Sequence, residues 1–228
     1  MNETSYFLYS RFHEIKTHSF LHEFLYYFPN STLLDAGAYL GDTSIQLAEQ
    51  HTNSTILAIE PNKNNCEFIK QKSTNKNLKN LHLYNCGLSD TDKKCLSCDY
   101  DNFRPDKIYK ESVVGIKTKT IDYFYGKYPA LNLIHLDVET YEYMCIKGCK
   151  KIINDKKPIF IIELLKSNKD NDKIKNFFRK HGYREFVIPE SVSLFGGDKG
   201  YNHVFCHTTN LYTQFIDVCL NKGLINPV

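Results

Sequence analysis

The sequence has no tryptophan, only two methionines, and no apolar run approaching the roughly 18 residues that a bilayer span requires. Charge of one sign is also scarce. The 29 Lys and Arg against 26 Asp and Glu leave +3, too little over 228 residues to mark a nucleic-acid footprint by itself. Eight cysteines are too few for a disulfide scaffold. Met1-Asn2-Glu3-Thr4-Ser5 carries no basic stretch followed by an apolar one, so no secretory or transit signal is read. A cytoplasmic location (host cytoplasm for a viral source) with reduced thiols is therefore expected. Cys95-x-x-Cys98 has suggestive spacing, but zinc needs four ligands, and Cys145 and Cys149 fall in a helix-like segment beyond a full strand. The pair sits among Asp92, Lys93, Lys94, Asp99 and Asp101 rather than opening a helix, so a surface hairpin without metal is expected.

Aromatic residues, by contrast, are abundant. Sixteen Tyr and fifteen Phe exclude a disordered chain. Tyr6, Phe7, Tyr9, Phe12, Ile15, Phe20, Leu21, Phe24, Leu25 and Phe28 recur at helical spacing before Pro29. This predicts an N-terminal helical extension over 1–30 that covers part of the main domain, 31–228, and offers a candidate homodimer interface. From residue 31, strands alternate with helices. Strands are expected over 33–36, 55–60, 81–88, 133–137, 159–163, 183–188 and 203–207. Helices are expected over 42–50, 64–72, 121–125, 141–152, 170–181 and 211–221, with an extended excursion from Cys95 to Tyr100 and Val113 to Lys117. Such alternation argues an α/β domain with a mostly parallel sheet covered on both faces.

In open parallel sheets, ligands sit beyond the carboxyl ends of the strands. The first such loop reads Asp35-Ala36-Gly37-Ala38-Tyr39-Leu40-Gly41-Asp42-Thr43. A dinucleotide fingerprint would need glycine where Tyr39 and Asp42 stand. Asp42 also puts negative charge at a helix N-terminus, where a phosphate would bind. NAD, FAD and ATP are therefore disfavoured. Glu60 ends the second strand, twenty-three residues after Gly37, where an acid can accept both ribose hydroxyls. S-adenosylmethionine combines ribose and adenine with no phosphate, and its cationic sulfonium tolerates Asp35.

At this point the chain resembles the FkbM-type methyltransferases, class I enzymes dependent on S-adenosylmethionine. Asp35 to Ser44 is similar to the family's D-V-G-A-N-x-G-D-T-S, and Ala58-Ile59-Glu60-Pro61 to its A-F-E-P. Gly87-Leu88-Ser89-Asp90 resembles A-L-S-D, and Thr120-Ile121-Asp122 resembles T-L-D. Leu133 to Glu142 is similar to L-I-K-I-D-V-E-G-A-E, and Ile161-Ile162-Glu163 to the closing I-x-x-E. The resemblance implies a Rossmann-like, seven-stranded sheet whose last strand is antiparallel. It also implies Gly37, Tyr39 and Gly41 along the methionyl side, Glu60 on the ribose and Leu88-Ser89 flanking the adenine. The whole expected cofactor set is Asp35, Gly37, Ala38, Tyr39, Gly41, Thr43, Glu60, Pro61, Leu88, Ser89 and Asp137. The family's usual reaction is methyl transfer to oxygen, often a sugar or polyketide hydroxyl.

Such a transfer must place a hydroxyl oxygen about 3 Å from the methyl carbon and remove its proton. Asp137 ends the fourth strand facing the cofactor loop, Glu139 and Glu142 follow within one turn, and Glu163 closes the fifth strand. Asp137, Glu139, Glu163 and His203 are the candidate catalytic residues, and Asp137 with Glu163 could hold Mg2+ to acidify the hydroxyl. Glu142 also suits a helix N-terminus through the dipole alone. Three positions depart from the family pattern: Tyr39 for Asn, His135 for Lys, and Thr140-Tyr141 for Gly-Ala. The leading expectation is O-methylation of a small-molecule or glycan acceptor. The alternatives are RNA ribose 2′-O-methylation, or a non-catalytic binding module that keeps the cofactor pocket.

Overall fold

The computed structural model describes residues 14–92, 95–96, 115–189, 201–208 and 212–228. Tyr6, Phe7, Tyr9 and Phe12 of the first stripe, with Cys98, Tyr100 and Val113, lie outside them. In chain order the elements begin with α1 (Ile15–Tyr27), β1 (Thr32–Ala36), α2 (Asp42–Gln50), β2 (Thr55–Ile59), α3 (Lys63–Asn75) and β3 (Leu81–Tyr84). Next come β4 (Gly87–Leu88), β5 (Cys95–Leu96), β6 (Ile116–Lys119), α4 (Ile121–Lys127), β7 (Leu131–Leu136), α5 (Glu142–Lys147) and α6 (Lys150–Asp155). The chain ends with β8 (Ile159–Leu164), α7 (Asn171–Lys180), β9 (Tyr183–Val187), β10 (Tyr201–His207), α8 (Thr213–Asn221) and β11 (Asn226–Pro227).

The main sheet runs β11-β9-β10-β8-β7-β1-β2-β3. Strands β3, β2, β1, β7 and β8 are parallel, whereas β10 is antiparallel to both β8 and β9. This is the expected seven-stranded arrangement, extended by the two-residue edge strand β11. Strand order reverses between β1 and β7, so the crevice at their carboxyl ends is the switch point where ligands bind in such sheets.

Both faces of the sheet are covered, which is why its strands are apolar at consecutive positions. Leu33, Ile56, Leu133, Ile161 and Val204 face α1, α2 and α8, and Leu34, Leu57, Ile134, Phe160 and Phe205 face α4 to α7. Helix α1 buries Phe20, Leu21, Phe24 and Leu25 at i, i+1, i+4, i+5 spacing, and Phe24 meets Phe215 of α8 edge-on at 5.4 Å. Each such burial stabilises by about 1.5–3 kcal/mol, so α1 is a wall of this core.

Two expected elements break in the structure. The strand expected over 81–88 leaves the main sheet at Tyr84, and β4 joins a small sheet with β6 and β5 instead. The side chain of Asn85 causes the exit by donating to the carbonyls of Glu60 and Pro61 at 3.0 and 2.9 Å, in place of a ladder bond. The helix expected over 141–152 is two short helices, because Gly148 passes against the backbone of Ser89. A Cβ on Gly148 would lie 2.3 Å from the Ser89 carbonyl oxygen. The second helix starts afresh, with Asp122 accepting the N–H groups of Lys151 and Ile152 at 2.8 and 2.9 Å.

Candidate functional site

The loop after β1 is wound tightly. Gly37, Tyr39 and Gly41 have φ of 85°, 50° and 80°. Glycine visits this region freely, but a tyrosine is held there at a cost of about 1–2 kcal/mol. Glu60 does the holding. Its Oε2 accepts the Tyr39 N–H at 2.8 Å, and its Oε1 accepts Asn62 N–H at 2.8 Å and Asn65 Nδ2 at 3.4 Å. Glu60 is 4% exposed, and burial pushes its carboxyl up to about 7 against the pull of those N–H groups. The Tyr39 side chain projects outward, 58% exposed.

Beneath the loop, Asp35 and His135 stand side by side in β1 and β7. Asp35 Oδ1 meets His135 Nδ1 at 2.9 Å, and its Oδ2 accepts the Ser44 hydroxyl. Burial alone would lower the His135 pKa, but the bond to Asp35 and the charges of Asp35, Glu14 and Asp137 raise it on balance. His135 thus stands where the family pattern has Lys, and its bond to Asp35 favours the protonated ring. His135 Nε2 is buried with no partner among the described residues.

The exits of β1 and β7 touch through backbone. Asp137 N–H donates to Ala36 O at 3.0 Å, and a Cβ on Gly37 would lie 1.8 Å from the Asp137 carbonyl oxygen. Asp137 and Glu163 then hydrogen-bond to each other. Burial raises both carboxyls, Asp137 further through the charge of Glu14 and Glu163 further through that of Asp137. Two neighbouring buried carboxyls cannot both ionise cheaply, so a proton retained on the pair is favoured. No group of three or more His, Cys, Asp or Glu among the described residues is placed for a metal ion.

Glu139 and Thr140 follow with φ of 52° and 76°. Thr140, where the family pattern has Gly, therefore adopts a left-handed conformation that a threonine takes at a cost. Glu142 bridges this turn. Its Oε1 accepts Val138 N–H at 3.3 Å and Thr140 N–H at 3.1 Å, while its Oε2 accepts Asn168 Nδ2 at 2.8 Å. Glu142 is fully buried, and burial pushes its carboxyl up to about 7.

The remaining expected residues scatter. His203 lies opposite Ile162 in the β10–β8 ladder, which turns it to the face away from Glu163. There its Nδ1 meets Glu185 at 2.8 Å, and Lys175 shares that carboxylate at 2.6 Å. Thr43 faces α1, with its hydroxyl 3.0 Å from His18 Nε2. Ala38 packs against Ile45, Ala58 and Ile69, and Pro61 is half-buried beside Glu60 in the chain. Leu88 and Ser89 are buried, and Ser89 Oγ donates to Asp90 at 3.0 Å and meets the Tyr141 hydroxyl at 3.3 Å. Sequence reasoning gave no role to Glu14, Asn168 and Asn202, none of which carries a local signal, or to Ser44 at the end of the first-loop motif.

These protonation states give stability a definite slope with pH. Glu60, Glu142, Asp137 and Glu163 are all raised, so the folded state binds more protons than the unfolded chain and loses stability as pH climbs. His135, also raised, contributes below about 6.5 and loses that contribution as pH passes its folded value. The partly buried His22, His51 and His207 are lowered and oppose this, but only below the ordinary histidine value of 6.5. The ligand-free chain should therefore need more urea to unfold at about pH 6.5 than at about pH 8. A higher midpoint at the alkaline end would contradict the assigned proton pattern.

The model of the methyltransferase FkbM domain matches residues 35–185. No curated protein matches the chain. Among solved structures, methyltransferase FkbM from Methylobacillus flagellatus KT aligns with TM-score 0.58 and 17% identity, over 78% of this chain and 44% of that one. This chain therefore spans less than half of that neighbour's length. A SAM-dependent O-methyltransferase from Thermotoga maritima aligns with TM-score 0.51 and 13% identity, over 86% and 66% of the two chains. A Streptococcus mutans protein solved in complex with SAH aligns with TM-score 0.50 and 14% identity, over 83% and 94%. No described helix is long and apolar enough to cross a membrane. With the family model covering most of the chain, the protein belongs to the FkbM family of methyltransferases.

Proposed function

We propose that the protein transfers a methyl group from S-adenosylmethionine to a hydroxyl of a sugar, glycan or similar small acceptor. The observation that carries the reading is the Asp137–Glu163 carboxyl pair, which meets the cofactor loop through the Gly37–Asp137 backbone contact. Bound S-adenosylmethionine supplies an electrophilic methyl on its sulfonium. The backbone of Gly37 to Gly41 would line its methionyl part. Glu60 would take the ribose on the lone pair of Oε2 that Tyr39 leaves open, and Leu88-Ser89 would border the adenine. Asp137, the ionised member of the pair, would receive the acceptor's hydroxyl proton while Glu163 keeps its own.

Calorimetry with S-adenosylhomocysteine tests the cofactor half. Glu60→Ala should weaken binding about 30-fold, the loss of charge-assisted hydrogen bonds worth roughly 2 kcal/mol. An unchanged Kd would remove Glu60 from the ribose. Transfer of labelled methyl onto a panel of glycans and hydroxylated small molecules tests the acceptor half. A second reading draws on Tyr141, whose hydroxyl reaches Ser89 at the expected adenine edge. S-adenosylhomocysteine binding with no transfer to any panel member would favour a binding module over an enzyme.

A further inference from the structure

Asn202 and His135 flank Glu163 from the two strands on either side of it. Asn202 lies directly opposite Glu163 in the β10–β8 ladder, and His135 lies beside Ile161 in the β7–β8 ladder. Paired residues share a face and side chains alternate along a strand, so Asn202, Glu163 and His135 all stand on the side of the sheet that α1 covers. Asn202 is 2% exposed, and its Nδ2 donates to Glu14 Oε1 and to Thr17 Oγ1, each at 3.0 Å. Both hydrogens of the amide are used, so its orientation is fixed. Its Oδ1 is buried and has no partner among the described residues. His135, 5% exposed, is held in the same manner by Asp35 at Nδ1. The two nitrogens lie on opposite edges of the ring, so Nε2, likewise buried and without a partner among the described residues, is turned away from β1. Folded chains leave few buried polar atoms unpaired, and these two share one face beside the carboxyl pair.

We propose that Asn202 Oδ1 and His135 Nε2 bind hydroxyls next to the one that the Asp137–Glu163 pair receives, so that the acceptor is a polyol such as a pyranose and not a lone alcohol. The assignment rests on the methyl-transfer reading above and narrows its acceptor. An amide oxygen only accepts, so Asn202 selects an O–H and rejects an ether or a bare C–H in its place. A hydroxyl both donates and accepts, so it can meet Nε2 in either protonation state of the ring. Neighbouring strands are roughly 4.8 Å apart, which brings side chains on β7, β8 and β10 within reach of one small polyol. A site built to hydrogen-bond a hydroxyl discriminates against an analogue that lacks it, because the buried atom then stays unpaired. Glu14 and Thr17 are positioning residues in this arrangement, acting through the amide nitrogen of Asn202.

The test reads binding, not transfer. The full chain, saturated with S-adenosylhomocysteine and labelled with nitrogen-15 in its Asn side chains, is titrated by NMR with methyl α-D-glucopyranoside, with methyl α-D-mannopyranoside and, for contrast, with cyclohexanol. The Asn202 amide signals should move with at least one glycoside and stay in place with cyclohexanol. Asn202→Leu should weaken binding of that glycoside by about tenfold or more and leave S-adenosylhomocysteine affinity within about twofold. Signals moved as far by cyclohexanol as by the glycosides, equal glycoside affinity with and without Asn202, or no movement with either glycoside would overturn the assignment. The titration of the native chain decides even where Asn202→Leu fails to fold. Glycoside binding at Asn202 with no methyl transferred would count against the methyl-transfer reading alone, so the two failures are told apart.

Discussion

Replacing Gly37 by Ala should destabilise the protein by roughly 3–5 kcal/mol, the sum of a left-handed alanine and a severe steric contact. The new Cβ would stand 1.8 Å from the Asp137 carbonyl oxygen and 2.9 Å from its carbon. Neither backbone can step aside cheaply. Gly37 N–H is bonded to Ile59 O at 3.0 Å, and Asp137 N–H to Ala36 O at 3.0 Å, so relief on either side breaks a ladder. The same displacement would move the cofactor loop away from Asp137, so S-adenosylhomocysteine binding should fall together with stability. Gly126 provides the contrast. It sits in α4 with open space around its Cα, and Gly126→Ala should stabilise by about 0.5–1 kcal/mol through helix propensity. Urea unfolding of the two variants checks both signs, and a Gly37→Ala protein within about 1 kcal/mol of the native chain would refute the backbone contact.

That contact also shows what a sequence can disclose. The glycines of the first loop, the limits of α2 and the paired acids at strand ends are local patterns, legible because neighbouring residues impose them. The breaks at Tyr84 and Gly148 come from partners distant in sequence: Asn85 reaching back to Glu60 and Pro61, and Gly148 pressed on Ser89. No periodicity encodes such meetings. Two side chains show the same limit. His203, a candidate catalytic residue in the sequence, is turned by strand register to the face away from Glu163, towards Glu185. Glu142 looked like a helix-dipole residue, yet its carboxylate bridges two N–H groups of the preceding turn. Glu14 and Asn202 are 188 positions apart, and only the packing of α1 on the sheet brings them together. Two departures from the family pattern sit in the same crevice: Thr140 takes a left-handed φ, and His135 bonds Asp35 at 2.9 Å.

Asp137→Asn should reduce methyl transfer to the acceptor found in the panel by about 100- to 10,000-fold, the range for removal of a general base. The substitution keeps the shape of the side chain and gives Glu163 an amide in place of the shared carboxyl. Folding should not suffer. A partly buried negative charge, raised by burial and by Glu14, is replaced by a neutral group, so stability should hold or rise. Affinity for S-adenosylhomocysteine should stay within about twofold, because no hydrogen bond from Asp137 to the cofactor enters the proposed mechanism. Glu163→Gln separates the two carboxyls. Glu163 keeps its proton throughout the proposed reaction, and glutamine can still donate to Asp137, so most activity should remain. Loss in Glu163→Gln with activity kept in Asp137→Asn would reverse the roles. Full activity in both variants would make the pair structural and move the base elsewhere on the rim.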